Sequence, residues 1–482
     1  MRACPVIHSL GCKLNQVESE AIADAFRDAG FFPGSRGDFS GEQSGIIIIN
    51  TCTVTTKADQ KARRIIRKAL RDNPSSCVLV TGCYAQLESE AIKSLESECS
   101  AEGRLFVFRG DKKGALLDLP RYLQGADIKD DISALVKSYS GNNSNPDNID
   151  IFNFAPEHFS FHSRGFLKIQ DGCDRHCTYC RTRLARGTSR SLDADLALKE
   201  LQRLEGAGYA EAVLTGLNIT DYRSNVIADN GREINCLGGL LEYLLSETQC
   251  INIRLSSLEP DGIDGKLAEV LPHKRIRSHF HLSVQSGSEK ILSEMGRGYG
   301  SETVECAAAL FRTAKDDPFL ACDIIAGFPG ETEDDFNKTL DLCRRIDFAW
   351  IHVFPFSRRP GTAAFSFPQQ VPEKDTAKRV EILMELAREG RRRYVQRWIG
   401  RELEAVVEQG RISQAGYCRG VSENYLKLLA RFTGDNPPAP GSVLHCRVMS
   451  APDERADYDA VAEESFSIKK NQKALDKIDK NR

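Results

Sequence analysis

The sequence predicts an α/β chain in three parts: an N-terminal parallel α/β domain, a central partial (β/α)6 barrel and a small C-terminal β-barrel. Three observations carry this. Short β-branched runs alternate with stretches of helical period through the first two parts. Six such βα units follow one another in the middle segment. Beyond Trp398 the pattern changes to short strands separated by Gly, Asn and Pro clusters.

In the first part Pro5–Ser9 reads as a strand, and Asn15–Ala29 as a helix with Val17, Ala21, Ala25 and Phe26 on one face. The run "GIIIIN", Gly45–Asn50, has the composition of a buried parallel strand. Lys57–Arg71 is the next helix, Val78–Thr81 the next strand, and a helix follows from about Gln86 to Leu95. A cysteine lies just past each strand: Cys12 in "LGCKLN", Cys52 in "NTCTVT" and Cys83 in "TGCYAQ". Parallel sheets set the carboxyl ends of their strands along one edge, where ligands bind. The three cysteines should therefore meet and form a candidate metal centre, although small cysteines also pack well at strand ends.

The stretch "SYSGNNSNPDN", Ser138–Asn148, reads as a linker or mobile loop. The six strands of the middle part are Phe166–Gln170, Ala212–Thr215, Ile251–Ser256, Phe280–Gln285, Leu320–Ile325 and Ala349–Phe354, with helical patterns such as Ala194–Ala207 and Asp334–Arg345 between them. Six successive units fit an open partial barrel better than a two-faced sheet. Glu373–Trp398 is a long helix bearing Arg388, Arg391, Arg392, Arg393 and Arg397. Between Gly400 and Ala451, "RELEAVVEQG" and "NYLKLLARF" are two strands of the small barrel, and "IKKNQKALDKIDKNR" is a basic tail. The expected division is 1–125 for the N-terminal domain, 126–158 for the linker, 159–395 for the central core, 396–465 for the small barrel and 466–482 for the tail.

The length of 482 residues suits about three domains. No stretch has the look of a signal peptide or a bilayer span, so a cytoplasmic chain without membrane contact is expected. Sixteen cysteines in such a chain imply a reducing compartment, with thiols free or on metal. A net charge of −3 argues against wholesale wrapping of nucleic acid and leaves room for a local basic patch.

The sharpest local signal is "GCDRHCTYC", which places Cys173, Cys177 and Cys180 in one short loop after the first barrel strand, on the face where barrels build active sites. Zinc sites usually pair cysteines two to four apart and collect four ligands. Ferredoxin runs continue to a fourth cysteine followed by proline. This run stops at three. An iron–sulfur cube held by it would keep one iron open, as catalytic zinc sites keep an open position. Three structural thiols are the bland alternative.

The spacing Cys173-x-x-x-Cys177-x-x-Cys180 resembles the signature of the radical S-adenosylmethionine enzymes, with Tyr179 at the aromatic position near the adenine. The segments around Cys12, Cys52 and Cys83 resemble the N-terminal cluster domain of the methylthiotransferases within that family. "KIQDGC", "LTG", "SSLEP", "SVQSGS", "DIIAGFPGET" and "HVFPFSRRPGTAA" continue the likeness in order. The C-terminal barrel is similar to a TRAM domain. "GCKLNQVESE", "NTCTVTTKAD" and "TGCYAQ" look most like the enzymes acting on N6-threonylcarbamoyladenosine in tRNA; isopentenyladenosine tRNA or a ribosomal protein is the alternative substrate, and a metal-stapled RNA-binding protein the non-enzyme alternative.

The resemblance implies two 4Fe–4S clusters, one on Cys12, Cys52 and Cys83 and one on Cys173, Cys177 and Cys180. The second would reduce S-adenosyl-L-methionine to a radical that takes hydrogen from C2 of the adenine, and the first would deliver the methylthio group. An unactivated aromatic C–H is closed to acid–base sulfuration, so the hard step belongs to the cofactors. The partners implied are tRNA, S-adenosylmethionine and an electron donor. The implied cofactor-binding residues are Tyr179, Thr215, Gly216, Asp323, Gly327, Pro329 and Gly330, with no further catalytic residue assigned. Gly327–Glu331 also reads as a plain turn, and Asp323 as a buried hydrogen-bonded carboxylate. The chain departs from the family pattern at Arg181 and Arg183, where apolar residues and a proline are usual, and at Asp174, where asparagine is common.

Two basic stretches are candidate RNA contacts or solvated faces: Lys61, Arg63, Arg64, Arg67, Lys68 and Arg71 on the Lys57–Arg71 helix, and the arginines from Arg388 onward. Cys236, Cys306 and Cys343 read as core thiols.

Overall fold

Four parallel strands, β1 (Pro5–Ser9), β2 (Ile46–Thr51), β3 (Cys77–Gly82) and β4 (Leu105–Val107), pair in sequence order to form the N-terminal sheet. The structure is a computed structural model and describes residues 5–34, 45–124, 131–142, 150–224, 226–227, 233–410, 414–452 and 456–465. Period-two alternation splits the isoleucine run between two cores. Ile46 and Ile48 pack with Ile22 and Phe26 of helix α1 (Lys13–Asp28), while Ile47 and Ile49 pack with Ala62 and Ile66 of helix α2 (Thr56–Asp72).

After β3 the helix begins at Cys83, three residues before the expected start. The Ala85 N–H donates to Thr51 Oγ1 at 3.2 Å, which seats the short helix α3 (Cys83–Leu87) on the sheet edge. Glu88 leaves helical dihedrals, and a second helix starts at Ser89. The segment read as a linker is helical over Ile132–Asn142, because Ile132, Val136 and Tyr139 complete the core beside α1 and the Tyr139 hydroxyl donates to Ala115 O at 2.9 Å. The rest of that stretch to Asn148, and the basic tail 466–482, lie outside the described residues.

The central part holds two three-stranded parallel sheets. The first is β5 (Gly165–Lys168), β6 (Glu211–Thr215) and β7 (Asn252–Leu255); the second is β8 (His279–Gln285), β9 (Phe319–Ala326) and β10 (Trp350–Pro355). Bridges between Ile253 and Ile276 and between Leu258 and Leu282 join them into one curved wall. The six strands match the expected partial barrel, with β5 and β10 as its edges. The loop carrying Cys173–Cys180 leaves the top of β5 and ends in a short helix, α4 (Thr182–Arg186).

The long helix α5 (Glu373–Trp398) leads into a closed five-stranded barrel of β11 (Glu402–Val407), β12 (Tyr417–Ser422), β13 (Lys427–Arg431), β14 (Val443–Ser450) and β15 (Ala460–Glu464), ordered β11-β12-β13-β15-β14. A buried charge cluster fastens it under the central barrel. Arg254 forks onto Glu211 at 2.7 and 2.8 Å and also donates to the carbonyls of Ser422 and Glu423. Of the cysteines read as core thiols, Cys343 is buried, Cys236 accepts the Gly239 N–H at a helix start, and Cys306 is exposed on the outer face of its helix.

Candidate active site

Cys12, Cys52 and Cys83 stand at the carboxyl ends of β1, β2 and β3, as the alternation of strands required. Two glycines make their approach possible. Gly11 has φ +94°, and a Cβ there would lie 2.4 Å from Cys52 Cβ and 2.6 Å from its sulfur. Gly82 has φ +97°, and a Cβ there would lie 2.2 Å from Thr51 O. Only glycine tolerates both the left-handed backbone and the contact. Asn15 then ties the loops together, its amide donating to Leu10 O at 2.7 Å and Thr51 O at 3.0 Å.

The thiols of this set sense one another. The Cys52 thiol is pushed up to about 12, chiefly by burial, with Cys12 and Cys83 adding to the rise and backbone hydrogen bonds at Val54 and Thr53 opposing it. Burial also raises Cys12, with Arg186 opposing and Cys83 adding. In the other set burial raises Cys173 to about 11, reinforced by Cys177 and Cys180. Cys177 is raised by burial, against the pull of Arg297. Such thiols stay protonated until a metal takes the place of the proton.

Cys173, Cys177 and Cys180 line one cavity, and Cys83 lines a second with Arg186. A cavity of about 250 Å³ at the top of the barrel is lined by Cys173, Cys177, Cys180, Tyr179 and Asp323, and its roof includes Val54 and Thr55, next to Cys52. Among the described residues no three His, Cys, Asp or Glu side chains converge tightly enough to hold a single metal ion. Ligands of one zinc surround one atom at about 2.3 Å, whereas thiolates on a cube bind different irons and stand wider apart. Three thiols in each set are the donor chemistry that a cube with one open iron would take.

Around the cavity, Arg297 donates to the Tyr179 hydroxyl at 2.6 Å and to Glu259 Oε2 at 2.6 Å. Asp323 lies 3.0 Å from His281 Nε2. Thr215 and Gly216 do not line the cavity; they stand one step behind Leu217 and Asn218, which do, and whose N–H groups donate to Gln170 Oε1 at 2.9 and 3.0 Å. Gly327, Pro329 and Gly330 do not line it either. The Gly327 N–H donates to Glu331 Oε2 at 2.7 Å, and a Cβ on Gly327 would meet Thr376 Oγ1 at 2.2 Å, so this glycine serves the packing of α5. Glu259, Gln285 and Arg297 line the cavity without having been singled out by sequence. The first two fall within the motifs "SSLEP" and "SVQSGS", which was the available signal; Arg297 carried none.

The unusual arginines belong to the seam between domains. Arg181 is buried and donates to Glu88 Oε1 at 2.8 Å, while Arg183 lines the cavity and lies 3.0 Å from His176 Nδ1. Asp174 accepts the Ser189 N–H at 3.0 Å, which closes the cysteine loop.

A family model described as "Radical SAM superfamily" matches residues 167–343, and one described as "Uncharacterized protein family UPF0004" matches residues 5–101. The chain is 38% identical to the threonylcarbamoyladenosine tRNA methylthiotransferase MtaB of Treponema pallidum, across 92% of this chain and 97% of that one. It belongs to the threonylcarbamoyladenosine tRNA methylthiotransferase family. The methylthiotransferase of the same name from Bacillus subtilis is 32% identical, across 93% and 94% of the two chains. The tRNA-2-methylthio-N(6)-dimethylallyladenosine synthase of Bacillus licheniformis is 30% identical, across 89% and 79%. In this methylthiotransferase fold the N-terminal match covers β1 to β3 with Cys12, Cys52 and Cys83, and the radical match starts in β5 and takes in the cysteine loop.

Proposed function

We propose that this chain is the enzyme that methylthiolates C2 of N6-threonylcarbamoyladenosine in tRNA, next to the anticodon, using two 4Fe–4S clusters and S-adenosyl-L-methionine. The observation that carries this is the relation of the chain, along nearly its whole length, to enzymes of that name, with Cys173, Cys177 and Cys180 on a cavity whose roof residues Val54 and Thr55 follow Cys52 in the chain. Cys173, Cys177 and Cys180 would hold one cluster and Cys12, Cys52 and Cys83 the other; the pair supplies the radical chemistry and the sulfur when bound.

The chain's own side chains do the positioning. Tyr179, held by Arg297 against Phe328, forms an apolar wall for a purine ring. Asp323, with His281 beside it, offers a carboxylate to ribose hydroxyls or an ammonium group. Glu259 and Arg297 pair with each other in the cavity wall.

The tRNA surface lies along α2. Its exposed residues Lys57, Lys61, Arg64, Lys68 and Arg71 recur every three or four positions and form one stripe of roughly 20 Å that starts at the cavity rim. Among the described residues Lys57, Lys61, Arg64 and Arg71 have no ion-pair partner. The α5 arginines are tied internally: Arg388 to Glu385, Arg391 to Asp459, Arg393 to Asp347 and Arg397 to Asp317. Cations without an acidic partner, as at Lys57, Lys61, Arg64 and Arg71, are what phosphates require.

No helix among the described residues is long and apolar enough to cross a membrane; a cytoplasmic enzyme drawing on an electron donor is the setting we infer. The test is mass spectrometry of tRNA nucleosides from cells with and without the gene. The methylthio form of threonylcarbamoyladenosine should vanish on deletion, and its persistence, or loss of the methylthio form of isopentenyladenosine instead, would overturn the reading.

A further inference from the structure

Arg186, the last residue of α4, lies six residues beyond Cys180, yet its side chain points at the other cysteine set. It is 7% exposed, and each of its nitrogens has a different task. Nε donates to Cys83 Sγ at 3.3 Å, Nη2 donates to Asn15 Oδ1 at 2.7 Å, and Nη1 donates to Glu18 Oε1 and Asp171 Oδ2, both at 3.0 Å. Among the described residues it is the one charged side chain within hydrogen-bond reach of a sulfur of either set.

The surroundings fix the local charge. Lys113 lies 2.5 Å from Glu18, and Lys168 lies 2.5 Å from Asp171. Burial alone would raise the Glu18 and Asp171 carboxyls, but Arg186, Lys113 and Lys168 outweigh it for the first and Arg186 and Lys168 for the second, so both stay ionised. Three cations thus meet two carboxylates in a buried group, which leaves one positive charge. Its member in contact with sulfur is Arg186.

We propose that Arg186 is a positioning residue that sets the reduction potential of the cluster on Cys12, Cys52 and Cys83. The inference rests on the two-cluster reading above. The couple is a one-electron one: the oxidised cluster plus one electron gives the reduced cluster, with no bond made or broken and no proton moved. The reduced cluster holds one more negative charge, spread onto its sulfurs. A donated N–H at Cys83 and a surplus positive charge favour that form and raise the potential. Because α4 continues the loop of the other cysteine set, the segment that carries Cys173, Cys177 and Cys180 also places the cation beside Cys83. A planar guanidinium can serve sulfur, amide and carboxylates at once; an ammonium group cannot.

The experiment is a redox titration with dithionite as reductant, read by electron paramagnetic resonance, on the reconstituted full chain with Cys173, Cys177 and Cys180 replaced by alanine, so that the signal comes from the N-terminal cluster. R186Q should shift the reduction equilibrium about tenfold toward the oxidised form, about 59 mV for a one-electron couple. R186K, which keeps the charge but not the fork, should shift it less. Glu18→Gln, which removes a neighbouring anion, should shift it in the opposite direction. A purely structural role predicts shifts of one sign for R186Q and E18Q, or none, and either result would overturn the proposal. In the reciprocal chain, with Cys12, Cys52 and Cys83 replaced by alanine, R186Q should leave the remaining signal in place; an equal shift there would also overturn it. If R186Q loses its iron, R186K and E18Q decide by their opposite signs. Absence of any signal with Arg186 intact would remove the two-cluster reading and this inference together, whereas the expected shifts in an enzyme that leaves tRNA unmodified would sink only the assigned activity.

Discussion

Arg359 Nη2 lies 2.6 Å from Asp59 Oδ2 and also donates to Thr53 Oγ1 at 2.8 Å, which pins the loop after β10 to the first turn of α2. Both partners are buried, and 300 residues of chain separate them. With Arg181 on Glu88 and Thr56 against Ser357, this pair fixes the roof of the cavity over its floor.

Removing Arg359 leaves the Asp59 carboxylate buried without its partner, which costs about 3–5 kcal/mol when a buried pair is broken from one side. Arg359→Ala should therefore lower the thermal midpoint. It should also uncouple the reaction, with S-adenosylmethionine still cleaved while methylthio product falls by more than tenfold. A proportional loss of both activities would show that the pair does not set the distance between the domains.

Serine substitutions should divide the two cysteine sets by function. Cys177→Ser should abolish S-adenosylmethionine cleavage and reduce iron from about eight to about four per chain. Cys83→Ser should reduce iron by the same amount but keep cleavage to 5′-deoxyadenosine, with no product formed. Iron analysis and chromatography of the nucleoside check both, and retained product formation in C83S would contradict the assignment.

Gly82→Ala should imitate Cys83→Ser without touching a sulfur. The methyl group would lie 2.2 Å from Thr51 O in a left-handed backbone, so the turn that presents Cys83 must open. Iron near four per chain with the other cluster's spectrum intact is the expected result. A full complement of iron would mean that the turn tolerates the change.

Along α2, the double variant K61E/R64E should weaken tRNA binding and reduce the slope of log affinity against log salt by about one for each phosphate no longer neutralised. Arg388→Ala and Arg393→Ala, whose arginines already face acids, should leave that slope nearly unchanged. The reverse order of effects would move the RNA surface to α5.

The attachment of the small barrel should be acid-sensitive through Glu211. Burial pushes its carboxyl up, but Arg254, Arg164 and Arg277 outweigh this and hold it at about 2, below the ordinary 4.5. A depressed value in the folded chain means that the stabilisation is complete above pH 4.5 and is lost as pH falls from 4.5 towards 2. In iron-free protein the urea midpoint of the wild type should exceed that of Glu211→Gln at pH 6, the gap narrowing below pH 4.5. A gap independent of pH would exclude the charge cluster as its cause.

Much of the fold was legible because its signals are local. The GIIIIN run alternates between two cores, the six barrel strands are separated by helices of clear period, and α5 spans Glu373–Trp398 as read. The cysteine positions were legible for the same reason, since each follows closely on the end of a strand. The start of α3 was missed because Thr51, on a different strand, caps it. The helix Ile132–Asn142 was missed because its Ser, Gly and Asn content hides three core residues. The close approach of Gly327 to Thr376 was not legible, because α5 comes much further along the chain.

By itself the sequence determined the three-part α/β architecture, the two sets of three thiols and the family, because spacing and periodicity are properties of neighbours along the chain. Only the tertiary structure decided which charges are spent and where. It turned Arg181 inward onto Glu88 and aimed Arg186 at Cys83. It tied the α5 arginines to acids while leaving Lys57, Lys61, Arg64 and Arg71 of α2 without an ion-pair partner among the described residues. A side chain's charge is written in the sequence, but its partner is chosen by distance in the folded chain, and electrostatic interaction falls off over a few ångströms of space rather than over residues.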